Sequence, residues 1–146
     1  MYSANGLITQ PSAHIEAALV KAAATFKITG RRGKTYKDVI QSSVFVTPLD
    51  IPHALPDGIR IPEDLDYDAD KMMYLDMRPV VVQRARVVRT RPALKKGWTL
   101  DFDIEVIDDQ LPPNVLNDIL LYAGKSVGIG DFRPRFGRFL VSKFAV

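Results

Sequence analysis

"PVVVQRARVVRTRPALKKGWTLDFDIEVIDD", residues 79–109, is the stretch whose strand pairing decides the fold. Its second part alternates strictly. Trp98, Leu100, Phe102, Ile104 and Val106 fall on one side, and Thr99, Asp101, Asp103 and Glu105 on the other. Period-two alternation marks a half-buried strand. The valine-rich first part reads as its antiparallel neighbour, with "ALKKG" as the turn between them. A turn centred near residues 94–95 sets Ala85 against Ile104 and Val87 against Phe102. On the opposite face it sets Arg84 against Glu105 and Arg86 against Asp103. A slip of one residue would oppose arginines to core positions, so parity favours this register. Opposed charges of this kind contribute roughly 0.2–1 kcal/mol per pair. On that reading Arg84 and Arg86 are neutralised. Arg89 and Arg91, near the turn with Lys95 and Lys96, have no assigned acidic partner and remain candidate phosphate contacts.

The same stretch belongs to a segregated charge pattern. Residues 79–97 carry net +6 and residues 98–118 net −6, in a chain of net +3. Such segregation fits a polyanion site. It equally fits neighbouring segments that pair with one another. The 146 residues fit one domain, 1–146, large enough to build a core without staples. The absence of cysteine excludes disulfides, thiolate metal sites and cysteine nucleophiles. No apolar run reaches the ~20 residues of a membrane span. "MYSANGLITQ" lacks the basic start and apolar core of a secretory signal. The expectation is a cytoplasmic protein without a membrane partner.

Upstream, "IEAALVKAAATFKI" (15–28) is open to two readings. Its alanines and the spacing of Ile15, Leu19, Val20, Ala23 and Phe26 fit a helix, whereas "TFKI" before a glycine fits a strand end. "TGRRGKTYKD" is a basic turn containing Gly30 and Gly33. Thr35 is placed to cap a short helix over residues 36–42, with Asp38 completing a capping box. "SVFVTPL" reads as a strand ended by Pro48. About residues 48–78 form an irregular insertion. Five prolines lie between residues 48 and 79, together with the acidic run "EDLDYDAD", and Ile51, Leu55, Ile61 and Leu65 are available for packing.

Downstream, "LPPNVLNDILLYAG" reads as a helix opened by prolines. Its apolar stripe is Val115, Leu116, Ile119, Leu120 and Ala123, and Gly124 stands where a helix end wants a left-handed residue. A glycine-rich loop follows, and "GRFLVSKFAV" reads as a final strand. In the loop Arg133, Arg135 and Arg138 alternate with Phe132, Phe136 and Phe139. Basic groups can grip phosphates while aromatic rings stack on bases, and N–H groups exposed at Gly128 and Gly130 can add anion contacts. The alternative is that Phe139 and Phe136 serve the core of the last strand and the arginines a solvated turn. The glycines are not a dinucleotide fingerprint, which needs strand, glycines and then helix. His14 and His53 are the only histidines, and neither has a recognisable partner. No enzyme, metal or cofactor is expected.

The order hairpin, helix, glycine-rich loop and final strand resembles the second half of the ferredoxin-like fold in the RAMP superfamily, the RNA-binding subunits of CRISPR effector complexes. The hallmark of that family is a glycine-rich loop between the second helix and the fourth strand. "VGIGDFRPRFGRF" stands in that place, and the match covers residues 79–146. Phe139 replaces the family's last glycine. The first half would supply a strand over about 17–28, the helix near 36–42 and a strand at 43–47. The resemblance implies an α+β fold: a ferredoxin-like (RNA-recognition-like) antiparallel sheet with helices on one face, here with a proline-rich insertion. It implies non-enzymatic binding of single-stranded nucleic acid, RNA or DNA, by copies assembling side by side along the strand as a homo-oligomer. A phage or mobile-element relative acting in a bacterial host cell would suit. Arg133, Arg135 and Arg138 would then contact phosphates, assisted by Arg31, Arg32 and Lys34 from the other glycine-containing turn. Phe132 or Phe136 would stack, and Arg89 and Arg91 would contribute less. A different class competes. The +6 and −6 blocks also fit a protein-interaction or self-assembling module, such as a phage structural subunit or an inhibitor mimicking a RAMP subunit.

Overall fold

The structure, a computed structural model, describes residues 2–63 and 73–146. In chain order its elements are β1 (Ser3–Ala4), β2 (Leu7–Pro11), α1 (Ser12–Ala23), α2 (Lys37–Ser43), β3 (Val44–Thr47), β4 (Asp50–Pro52), β5 (Met73–Val82), β6 (Ala85–Leu94), β7 (Asp103–Val106) and α3 (Pro113–Tyr122). A π-helical turn, Ala123–Val127, continues α3. The protein is thus mixed α/β, with three helices and small antiparallel sheets among the described residues. Leu65 and most of the acidic run expected in the insertion lie outside the described residues. No described helix is long and apolar enough to cross a membrane.

The chain forms two compact units, residues 1–10 with 50–101 and residues 11–49 with 102–146. In the first, β2 lies between β1 and β4. Ile8 N–H donates to the Ile61 carbonyl (2.9 Å), Ile61 N–H to that of His53 (3.0 Å), and His53 N–H to that of Ile8 (2.9 Å). Ile8, Ile61 and Met73 form the core of this unit, with Leu55 and Leu94 packed on it. Burying side chains of this size stabilises by roughly 1.5–3 kcal/mol each. Met73 and its cross-strand partner Leu94 root the β5–β6 ribbon in that core. Beyond the root the ribbon is open, and residues 81–90 are all exposed.

This pairing corrects the hairpin expected from the sequence. β6 pairs with β5, so Arg86 faces Val81 and Val87 faces Val80, not Asp103 and Phe102. Arg84 stands in the turn and not opposite Glu105; Gln83 and Arg84 are both left-handed, with φ of 47° and 69°. β7 pairs instead with β3: Val44 with Val106, Val46 with Ile104, Phe45 with Glu105 and Thr47 with Asp103. The physical reason is burial. Val44 and Val46 are core residues, so the apolar side of β7 finds a dry partner in β3 that the exposed ribbon does not offer.

In the second unit α1 replaces the strand expected over about 17–28. Ser12, Ile15, Ala18, Leu19, Ala22 and Ala23 are buried at helical spacing. Thr25 Oγ1 donates to the Ala22 carbonyl (2.8 Å) just past its end, where the β-branched and aromatic "TF" begins. Ser12 N–H donates to the Leu49 carbonyl (2.8 Å), and Glu16 Oε1 accepts the Val46 N–H (2.9 Å), tying α1 to β3. α2 forms where expected, but without the capping box. Thr35 Oγ1 accepts only a long 3.4 Å bond from Lys37 N–H, and no side chain caps the helix. α3 also matches expectation, opening on Pro112 and Pro113 and burying Leu116, Ile119 and Leu120. The final strand does not form: residues 138–146 carry no strand pairing, and Leu140 and Val146 are fully exposed.

Candidate nucleic-acid interface

The glycine-rich loop grows out of the C-terminal end of α3. The π-turn closes when Gly128 N–H donates to the Ala123 carbonyl (2.8 Å). Such turns recur at functional sites. The left-handed residue is therefore Gly128, φ 73°, and not Gly124 as expected. Gly124 is needed for another reason. A Cβ there would come within 2.8 Å of the Phe139 ring, and Phe139 N–H donates to the Gly124 carbonyl (3.1 Å). Phe139 is half-buried against the helix end, without the strand that was expected to hold it.

Two further bonds fix the loop's shape. Ile129 N–H donates to the Gly137 carbonyl (3.0 Å), and Phe136 N–H to that of Phe132 (2.9 Å). The Phe132 and Phe136 rings lie 5.7 Å apart, tilted at 46°. Gly137 has φ +79°, and a Cβ there would run into the Ile129 carbonyl, so no side chain fits. Arg133 Nη1 donates to the Gly130 carbonyl (2.8 Å), which braces the loop. Arg135 and Arg138 are exposed and make no hydrogen bond or ion pair among the described residues. Phe136 is exposed and Phe132 half-buried. Gly128 is buried with its N–H engaged, while Gly130 opens to free space.

His14 joins this loop electrostatically, which the sequence does not foreshadow. It sits in the first turn of α1. Its pKa is lowered by burial and then by the Arg133 guanidinium, with the Asp131 carboxylate opposing. No local pattern links residues so far apart along the chain.

The second basic turn lies in the same unit. Ile28 N–H donates to the Lys34 carbonyl (2.9 Å) and Lys34 N–H to that of Arg31 (3.2 Å). Arg31, Arg32 and Lys34 are exposed, and a shallow cleft is lined by Lys27, Ile28, Gly30, Arg31, Arg32 and Gly33. The base of this turn meets the base of the loop. Tyr36 N–H donates to the Phe26 carbonyl (2.9 Å), and the Phe26 ring meets that of Tyr122, the last residue of α3, edge-on at 5.8 Å.

Arg89 and Arg91 belong to the other unit. Arg89 is exposed and faces Arg78 across the ribbon; Arg91 is half-buried opposite Asp76, whose carboxylate holds Arg78 Nε at 2.8 Å. His53 is also in that unit. Its Nε2 lies 3.2 Å from Gln10 Oε1, its ring meets Trp98 edge-on at 5.4 Å, and burial lowers its pKa to about 4. No group of acidic and imidazole side chains suited to a metal ion occurs among the described residues. No protein-family model, no curated protein and no solved structure matches the chain.

Proposed function

We propose that the protein binds single-stranded nucleic acid through the Gly128–Arg138 loop, without catalysing a reaction. One observation carries the reading: Arg135 is held out on a loop closed by the Ile129–Gly137 bond and Arg138 directly follows that closure, both exposed and with no carboxylate partner among the described residues. Two guanidinium groups kept unpaired on a shaped backbone are suited to phosphate oxygens. Phe136 supplies an exposed ring for a base. Arg31, Arg32 and Lys34 extend the positive surface from the neighbouring turn. Arg133, committed to Gly130, shapes the loop more than it reaches a ligand. The ferredoxin-like RAMP resemblance enters this reading through one feature, a glycine-rich loop directly following a helix.

The test is fluorescence-anisotropy binding of labelled single-stranded RNA and DNA over a salt series. Each phosphate contact on a single strand adds roughly −0.7 to the slope of log K against log salt. Replacing Arg135 and Arg138 with Gln should flatten that slope by about 1.4 in total. Absence of binding by the wild type at low salt would refute the proposal.

A further inference from the structure

The β5–β6 ribbon exposes more apolar surface than a solvated hairpin requires. Opposed residues in an antiparallel ladder share a face. One face therefore holds Leu75, Met77, Val81 and Val88, together with Pro79 and Pro92, and with Thr90 and Arg86 opposite Met77 and Val81. Leu75 is 52% exposed, Met77 69%, Val81 70% and Val88 66%. At the tip Arg84, Arg86 and Arg89 are exposed and unpaired among the described residues. Among the described residues the ribbon has two strands, so β6 keeps one free edge there. A lone two-stranded ribbon is marginal in water. An open edge carrying apolar side chains is a template for another strand.

The second unit carries the complement. β7 also lies in a two-stranded sheet and keeps a free edge among the described residues. Its outer face presents Asp103 and Glu105, opposite Thr47 and Phe45, and Phe45 is 46% exposed. Asp109 follows the strand and is exposed, and no lysine or arginine occurs between residues 98 and 118. Alternate residues on an extended strand recur at about 6.8 Å, so Arg86 on β6 can meet one carboxylate of β7 directly and stand near the next, with Arg84 in the turn before it.

We infer that β6 of one copy adds antiparallel to the free edge of β7 of a second copy, Arg86 meeting Glu105, Val87 meeting Ile104 and Val88 meeting Asp103, with Arg84 in the turn just beyond. Within the chain this register is unused, because β6 and β7 each pair elsewhere. Between copies it pairs the charges. By parity it also sets the second copy's Phe45 and Thr47 on the same side as Val81 and Val88, extending the apolar face at that end of the ribbon. A polyanion would use the arginines but leave Val81 and Val88 in water. Each copy offers one ribbon and one acidic edge, so the contact is heterologous and builds rings or filaments. The glycine-rich loop takes no part, and this association stands apart from the nucleic-acid reading.

Sedimentation velocity on nucleic-acid-free protein tests it. The wild type should associate with rising concentration, less so at high salt. Arg84→Glu with Arg86→Glu should weaken association about tenfold or more, as should Asp103→Arg with Glu105→Arg. Mixing the two variants should restore it, which also shows that both are folded. A wild type that stays monomeric overturns the proposal. So do charge-reversed variants that associate like the wild type, and a mixture that fails to associate. Loss of oligonucleotide binding in the Arg84→Glu, Arg86→Glu variant with association intact would make the ribbon a nucleic-acid arm instead.

Discussion

Acidifying the protein from pH 7 to pH 5 should weaken it through one side chain, His53. An amide oxygen only accepts, so the 3.2 Å contact with Gln10 Oε1 fixes the tautomer with the proton on Nε2. Nδ1 is then a bare acceptor, and it is buried without a partner. Protonating it would place a charge beside Trp98 in a site closed to water, which is why burial lowers the pKa from 6.5 to about 4. In the unfolded chain the same imidazole takes up its proton near 6.5. Between those values the unfolded state binds more protons, so stability falls as pH falls from 6.5 and the loss is complete below about 4. The full shift corresponds to about 3 kcal/mol, of which about 2 kcal/mol is already lost at pH 5. Urea unfolding at pH 7 and pH 5 measures that difference, before most carboxylates begin to titrate. His53→Gln, whose amide nitrogen can replace Nε2–H, should remove most of it and leave the smaller share of His14. Because the chain has only two histidines, NMR titration of the imidazoles gives an independent value. A folded-state pKa for His53 of 6 or above would refute the reasoning, as would an undiminished pH difference in the His53→Gln variant.

Two further outcomes test the loop itself. Gly137→Ala puts a methyl group into the Ile129 carbonyl at a left-handed position; it should destabilise by roughly 2–4 kcal/mol in urea unfolding and lower oligonucleotide affinity although every arginine remains. Gly130→Ala, whose Cβ meets nothing within 4 Å, should cost only the left-handed backbone, about 1–2 kcal/mol, and equal losses in the two variants would contradict the closed-loop geometry. Arg133→Gln should raise the His14 pKa and Asp131→Asn should lower it further, since these charges act on it in opposite directions. If neither substitution moves the His14 resonance in an NMR titration, His14 does not sit beside the loop.

Elements whose burial follows from local spacing were legible in the sequence. α3 has its apolar residues three and four apart between two prolines and a glycine-rich stretch, and it forms there. β3 and β7 alternate, and each is a strand. Strand partnership was not legible, because alternation fixes which face is buried and leaves the neighbour open. The misleading cue was the turn. A two-residue hairpin usually announces itself with Asn-Gly or a similar pair, but the turn at Gln83–Arg84 uses two long side chains in left-handed conformations. The glycine in "ALKKG" looked like the better turn, and Gly97 is indeed left-handed, yet it leads the chain out of the ribbon. The final strand was a false expectation: "GRFLVSKFAV" has strand-like composition, but residues 138–146 pair with no described strand, and Leu140 lies in water. For the candidate site, the exposed arginines and the Phe132–Phe136 pair were readable from composition. The bracing role of Arg133 and the approach of His14 depend on tertiary placement alone.

The corrected register also redistributes the meaning of the basic charge. From sequence, Arg84 and Arg86 looked neutralised, and the loop gained weight by default. In the structure they are as open as Arg135 and Arg138, so charge no longer separates the two sites. What separates them is the surroundings of the arginines. On the loop they stand among glycine backbone and one exposed ring, a surface with polar and stacking partners for a nucleotide and little aliphatic area. On the ribbon they stand beside Val87 and Val88 at the start of a strand with a free edge among the described residues, across from the valines, methionine and leucine of β5, where backbone hydrogen bonds and apolar contact are the unmet needs. A polyanion satisfies the first environment and a strand satisfies the second. Salt weakens both interactions, so salt dependence cannot tell them apart. The reversed-charge pair can, because only a protein partner restores at Asp103 and Glu105 what was removed at Arg84 and Arg86.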